Sequence, residues 1–364
     1  MSNGHDPQIS AGRIPDAKSE QRLTAIRQEA ELRGEVKSGG IRPAGAPFPI
    51  ASPETGYYGI PVLKEPAWTW EIPLYFFVGG AAGTAAVIGA VADYTGTDRK
   101  LVRDARWIAA AGVVISPVLL ILDLGKPSRF LNMLRVFKPQ SAMSVGVWTL
   151  MGFSGGASLA ALAGFISDHY GWSLSIRLLE QTGQAAALLF GLPFSNYTGV
   201  LIGATAIPVW NLNAGELPIH FGASGLGAAV GMLELAGHDK SRALQGLGTG
   251  AAVIDSLEGL RIESRDQEGL SPLKRGLSGA VVRIGGLLSG PLPLALRVAS
   301  MATGGKTSRK LRRLAALSSV AGSLITRIGW VRAGHVSARD WRLPLRIPPS
   351  REIIPGLPNS PKRA

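Results

Sequence analysis

The sequence predicts an all-α protein, a polytopic bundle of about eight transmembrane helices. Three observations carry this. Long uncharged apolar stretches recur between Ile72 and Leu233, longer in sum than a soluble core can hide. Charge is segregated into an N-terminal region, short connections and the last hundred or so residues. The basic excess, 38 Lys+Arg against 25 Asp+Glu for a net charge of +13, fits loops and tails governed by the positive-inside rule. Nucleic-acid binding is not needed to explain it.

Residues 1–70 form a polar region of their own, partly disordered in expectation. It lacks the short apolar core near Met1 that an export signal requires. Ala17 to Val36 has helix-forming composition. Pro43, Pro47, Pro49, Pro53, Pro61 and Pro66 then impose an extended, irregular path.

Spans follow wherever charge is absent for long enough to cross about 30 Å of hydrocarbon. Ile72 to Ala92 is the first. Trp107 to Leu122 is the second, after a loop holding Arg99, Lys100 and Arg103. Pro139 to Ser167 is the third. Gln181 to Gly215 reads as one tilted helix or two poorly separated segments, with one favoured, and Leu217 to Leu233 is the fifth. Residues 71–237 therefore form a five-helix core.

Residues 238–335 add three weaker spans, Arg242 to Leu260, Gly276 to Leu296 and Leu314 to Thr326. They are interrupted by Asp255, Glu258 and Arg283 or cut short by Arg327. With all three inserted both termini share one side, and the basic tails tip that side toward the cytoplasm. Residues 336–364 are a polar C-terminal tail.

Chemistry is limited by composition. There is no cysteine, so disulfides, Cys-ligated Fe–S clusters and thiolate zinc sites are excluded from this chain. Five histidines fall in the tail, a loop or near helix ends. A b-type haem needs two facing ligands at mid-membrane depth, so neither haem nor metal is expected.

Small-xxx-small pairs, Gly79 and Gly83 among them, predict close helix approach. Glu71, Tyr75, Gly79 and Gly83 recur at i+4 and so share one face. That face could seat a polar ring at its mouth and an apolar tail in the glycine groove below.

Three strings carry a family resemblance. WTWEIPLYFFVGGAAGTAAV (Trp68 to Val87), LDLGKPSRFLNMLRVFKPQSAMSVGVW (Leu122 to Trp148) and YTGVLIGATAIPVWN (Tyr197 to Asn211) resemble the NrfD family, the polysulfide-reductase-type membrane subunits. VRAGHVSARDW (Val331 to Trp341) resembles the close of the last helix in many members. Gly56 to Pro73 is similar to members associated with formate-dehydrogenase-like enzymes.

The resemblance implies two four-helix halves and a subunit without its own redox centre in the bacterial cytoplasmic membrane. It implies a ferredoxin-like Fe–S electron-transfer subunit and a molybdopterin catalytic subunit as partners. Menaquinone or ubiquinone would be the exchangeable substrate. The rival readings are a membrane transporter or ion carrier, which needs polar groups near mid-membrane on broken helices, and a purely structural anchor.

Family analogy places the quinone headgroup near the start of the first span, where Tyr75 stands at a position often held by His. Glu71, one turn away, is then the proton donor; alternatively Trp68, Trp70 and Tyr75 are an interfacial belt and Glu71 is solvated. Tyr197 and His220 are further headgroup candidates, set against helix-contact and interfacial roles. Asp123 is a proton-path candidate or an ion-paired helix stop; Glu234 is a further proton-path candidate, and it, Asp255 and Glu258 are functional if they sit in lipid or else mark span ends. Lys126, Arg129 and Arg135 would dock an acidic partner surface or lipid phosphates.

Overall fold

The computed structural model describes residues 63–124, 128–171, 173–340 and 343–344, together with Ala25 and Gln28. All regular structure among these residues is helical. The long helices are α1 (Glu71–Tyr94), α2 (Arg99–Leu124), α3 (Ala142–Tyr170), α4 (Leu174–Gly203), α5 (Leu217–Leu233), α6 (Arg242–Ser264), α7 (Gly276–Ser289), α8 (Pro291–Ala302) and α9 (Gly305–Arg339). Short helices at Ser128–Met133, Pro208–Asn211 and Ser271–Lys274 fill the connections.

Among the described residues seven helical units are long and apolar enough to span a membrane: α1 to α4, α5 extended to His238, α7 with α8 as one, and α9. The eighth crossing is α6, whose length suffices but whose Asp255 and Glu258 lower its hydropathy. Both charges are buried against neighbouring helices instead of facing lipid. The chain is thus a multi-pass membrane protein with the start of α1 and the end of α9 on one face, here the Glu71 face. The opposite one is the Tyr94 face.

Local chemistry sets the helix limits. Ser141, Ser173 and Ser241 cap α3, α4 and α6 by accepting from the backbone N–H three residues on. Pro117 and Pro193 sit inside continuous helices, which neighbouring helices support. Gly237, at φ 110°, ends the π-turn Glu234–His238 beyond α5, a conformation that favours glycine.

α1 is the central helix. Of its apolar stretch 78% is buried inside the protein, against 22% for α2, which faces outward. A Cβ on Gly83 would lie 2.7 Å from the Gly191 carbonyl of α4, and one on Gly79 3.0 Å from the Phe194 ring. The glycine face is therefore filled by α4. The expectation of an open groove for an apolar tail is corrected, because close backbone contact is what the missing side chains permit. α1 to α4 pack mutually as one half, α5 to α9 as the other, joined where α1 and α4 meet α5 and where α9 meets α1.

Several expected boundaries move. The presumed loop with Arg99, Lys100 and Arg103 is the first turns of α2, so Arg106 lies within the helix. There it binds Asp93 at 3.1 Å and also meets Glu180 and Gln184. The fourth span begins at Leu174 and ends at Gly203; residues after it turn into the short helix Pro208–Asn211. Arg327 does not end the last span, because the bundle supplies acceptors for it, and α9 continues through the expected tail boundary to Arg339.

Candidate functional site

On the Glu71 face the start of α1, the end of α2, the start of α3 and the end of α4 converge around a small cavity of about 60 Å³. Tyr75, Tyr197 and Asp123 supply its polar groups, among apolar walls that include Trp68 and Ile72. Three residues far apart in sequence meet here because antiparallel helices bring the first and last turns of successive spans to one face.

Tyr75 is 2% exposed, its ring tilted against those of Phe76 and Phe194. Its hydroxyl makes no hydrogen bond to any described residue. Tyr197 donates to the Ala142 carbonyl at the start of α3. Gly146, one turn on, leaves room for the Tyr197 ring. Asp123 lines the same cavity from the last turn of α2. A buried phenol without a partner is costly, so a ligand or water is the natural complement of Tyr75.

The cavity holds the volume of roughly two water molecules, too little for an aromatic headgroup as it stands. Met133, on Ser128–Met133, and Met143, on α3, line it. Unbranched thioethers change rotamer readily and are the movable part of the wall.

Other expected site residues lie elsewhere. Glu71 does not line the cavity; it accepts a hydrogen bond from the Thr69 hydroxyl. It stands at the first position of α1, only partly buried, whereas Tyr75 one turn further in is buried. His220 is buried in the second half, 3.2 Å from Asp255. Glu234 sits at the Tyr94 face end of α5, paired with Arg297, and Asp123 at the opposite face. Arg135 is exposed after Ser128–Met133. Lys126 and the Arg129 side chain lie outside the described residues.

A second, open cavity of about 440 Å³ lies nearby, between the segment before α1 and the end of α9. Its one histidine is already engaged: His335 Nδ1 meets Glu65 at 2.9 Å and Nε2 meets the Trp68 carbonyl at 2.9 Å. Arg339 grips the same Glu65 carboxylate through two bonds of 2.9 and 2.6 Å. Hydrogen bonding from Arg339, with a further contribution from His335, holds the Glu65 carboxyl below the usual carboxylate range. Trp68, anchored by this clamp, stacks on Trp210 at 5.2 Å and forms part of the smaller cavity's wall.

Sequence reasoning missed Arg297, Arg327 and the Glu65 clamp. The available signal was charge inside an apolar stretch, which demands a partner; which partner was not readable. Among the described residues no cluster of His, Asp and Glu is arranged to hold a metal.

A family model described as polysulfide reductase, of the NrfD type, matches residues 54–257. That range contains Tyr75, Asp123 and Tyr197 and stops within α6. No curated protein matches the chain.

Proposed function

The chain belongs to the NrfD-type polysulfide reductase family, and from that premise we propose that it is the quinone-interacting membrane subunit of a respiratory oxidoreductase complex in the bacterial cytoplasmic membrane. Electrons pass between an Fe–S centre of a ferredoxin-like partner and the quinone pool. A molybdopterin subunit lies behind that partner, of formate-dehydrogenase-like type if the resemblance of Gly56 to Pro73 extends to function.

The observation that carries the reading is the unpartnered Tyr75 hydroxyl, opening on a cavity shared with Tyr197 and Asp123. A quinone, menaquinone or ubiquinone, presents two carbonyls, and its reduction takes up two electrons and two protons. Tyr75 can donate to one carbonyl while its burial excludes competing water. Asp123, a carboxylate in the same wall, can hold a proton for transfer. Tyr197 fixes the start of α3, and movement of Met133 and Met143 admits the ring. No redox centre of this chain is needed, since the electrons are supplied by the partner.

Tyr75→Phe in the assembled complex tests the reading. Quinone-coupled turnover should fall roughly tenfold, the size of one lost hydrogen bond to a polarised group, while the Fe–S partner stays on the membrane. Unchanged turnover removes Tyr75 from the mechanism. Bound quinone in the purified protein would separate this reading from a carrier and from a structural anchor.

A further inference from the structure

Beyond the Phe76 and Phe221 rings from the Tyr75 cavity, the second half buries a charged cluster that the quinone reading does not use. His220 of α5, Asp255 and Glu258 of α6 and Arg327 of α9 are each less than a tenth exposed. His220 Nδ1 lies 3.2 Å from Asp255 Oδ1. Arg327 donates to the Ser224 hydroxyl at 2.9 Å, the Ser323 carbonyl at 2.9 Å and the Phe221 carbonyl at 3.0 Å, within the field of Asp255. Gly80 of α1 leaves space for its guanidinium. Glu258 stands one turn beyond Asp255 and forms no hydrogen bond or ion pair with any described residue.

Around these charges Glu258 Oε2, Arg327 Nε and Trp330 Nε1 are buried without a hydrogen-bond partner among the described residues, and His220 Nδ1 and Asp255 Oδ1 face only each other. The rings of His220 and Trp330 are 6.1 Å apart. Each such atom left dry costs about 1–3 kcal/mol. So many on three packed helices require internal water.

The charge count adds a second constraint. Arg327 offsets one carboxylate, and with His220 neutral the other leaves a net negative charge in a low-dielectric bundle. One proton, shared among His220, Asp255 and Glu258, removes it. Among the described residues the nearby charged groups are paired elsewhere: Glu216, one turn before His220, meets Arg261 and Arg265. Arg297 of α8 is committed to Glu234, Arg283 of α7 to Glu263 outside the cluster, and α1 presents Gly80.

We propose that His220, Asp255, Glu258 and Arg327 form a hydrated chamber holding one exchangeable proton inside the membrane, a proton-loading site separate from the quinone cavity. Protons would reach it from the Glu71 face, where Glu216, one turn before His220, is held by Arg265. The broken helix α7–α8 closes the chamber's side: its Gly290 packs on the Asp255–Ser256 backbone, where a Cβ would stand 2.9 Å from Ser256 N.

The test is infrared difference spectroscopy of the full chain in lipid nanodiscs during a pH titration, with buffered proton uptake measured in parallel. The wild type should show a protonated-carboxyl band that shifts in D₂O, and uptake of one proton that is lost in Glu258→Gln. Glu258→Gln keeps the side chain's volume and breaks no observed contact, so it folds as a fair test; Asp255→Asn is the companion. Tyr75→Phe should leave the band in place. A band that ignores D₂O, or survives Glu258→Gln and Asp255→Asn together with full uptake, overturns the proposal.

Discussion

Arg297 holds both carboxylate oxygens of Glu234 through parallel bonds of 2.7 and 2.8 Å, with the two side chains essentially buried. Removing one partner strands the other charge in the bundle. Glu234→Ala should therefore cost about 3–5 kcal/mol, read as earlier thermal loss of the monodisperse protein in detergent. The double variant Glu234→Leu, Arg297→Met should recover most of that loss. Equal damage by single and double variants would mean the pair does more than balance charge.

Gly146 is the tightest neighbour of Tyr197 in the candidate quinone cavity. Gly146→Ala drives a methyl group into that ring and closes the space beside Asp123. Quinone-coupled turnover should drop at least tenfold, with partner binding retained. Normal turnover in a folded Gly146→Ala protein would place quinone elsewhere.

The contact of α1 with α4 depends on Gly83, where a Cβ would stand 2.7 Å from the Gly191 carbonyl. Backbone cannot give way cheaply, so Gly83→Ala should destabilise by roughly 1–3 kcal/mol. Gly155 of α3 has nothing within 4 Å of its Cβ position and serves as control. Thermal scans of both variants decide the matter.

Glu65 carries a pH prediction. Its carboxyl is lowered by Arg339 and His335, so the clamp's contribution is present above the carboxyl's unfolded value and is lost as pH falls through the folded one. Acidification should loosen the segment before α1, seen as faster amide exchange around Trp68. Glu65→Gln should show that faster exchange already at neutral pH and little further change on acidification.

Helix type and most span positions were legible in the sequence because uncharged length is a local property and a membrane leaves few alternatives to helix. Boundaries failed where charge seemed to forbid a helix. Arg106 and Arg327 lie within helices because Glu180 in one case, and Ser224 and Phe221 in the other, come from distant parts of the chain to meet them.

The candidate site divides in the same way. Tyr75, Tyr197 and Asp123 were selectable one by one as polar groups near span ends, but i+4 spacing put Glu71 with Tyr75, whereas in the fold Glu71 stays at the helix start with Thr69. The sequence by itself determined that this protein crosses the membrane repeatedly on helices with small, closely packing faces. Tertiary structure alone decided which buried charge meets which partner: antiparallel packing joins residues such as Glu234 and Arg297 whose attraction becomes decisive only where water is excluded.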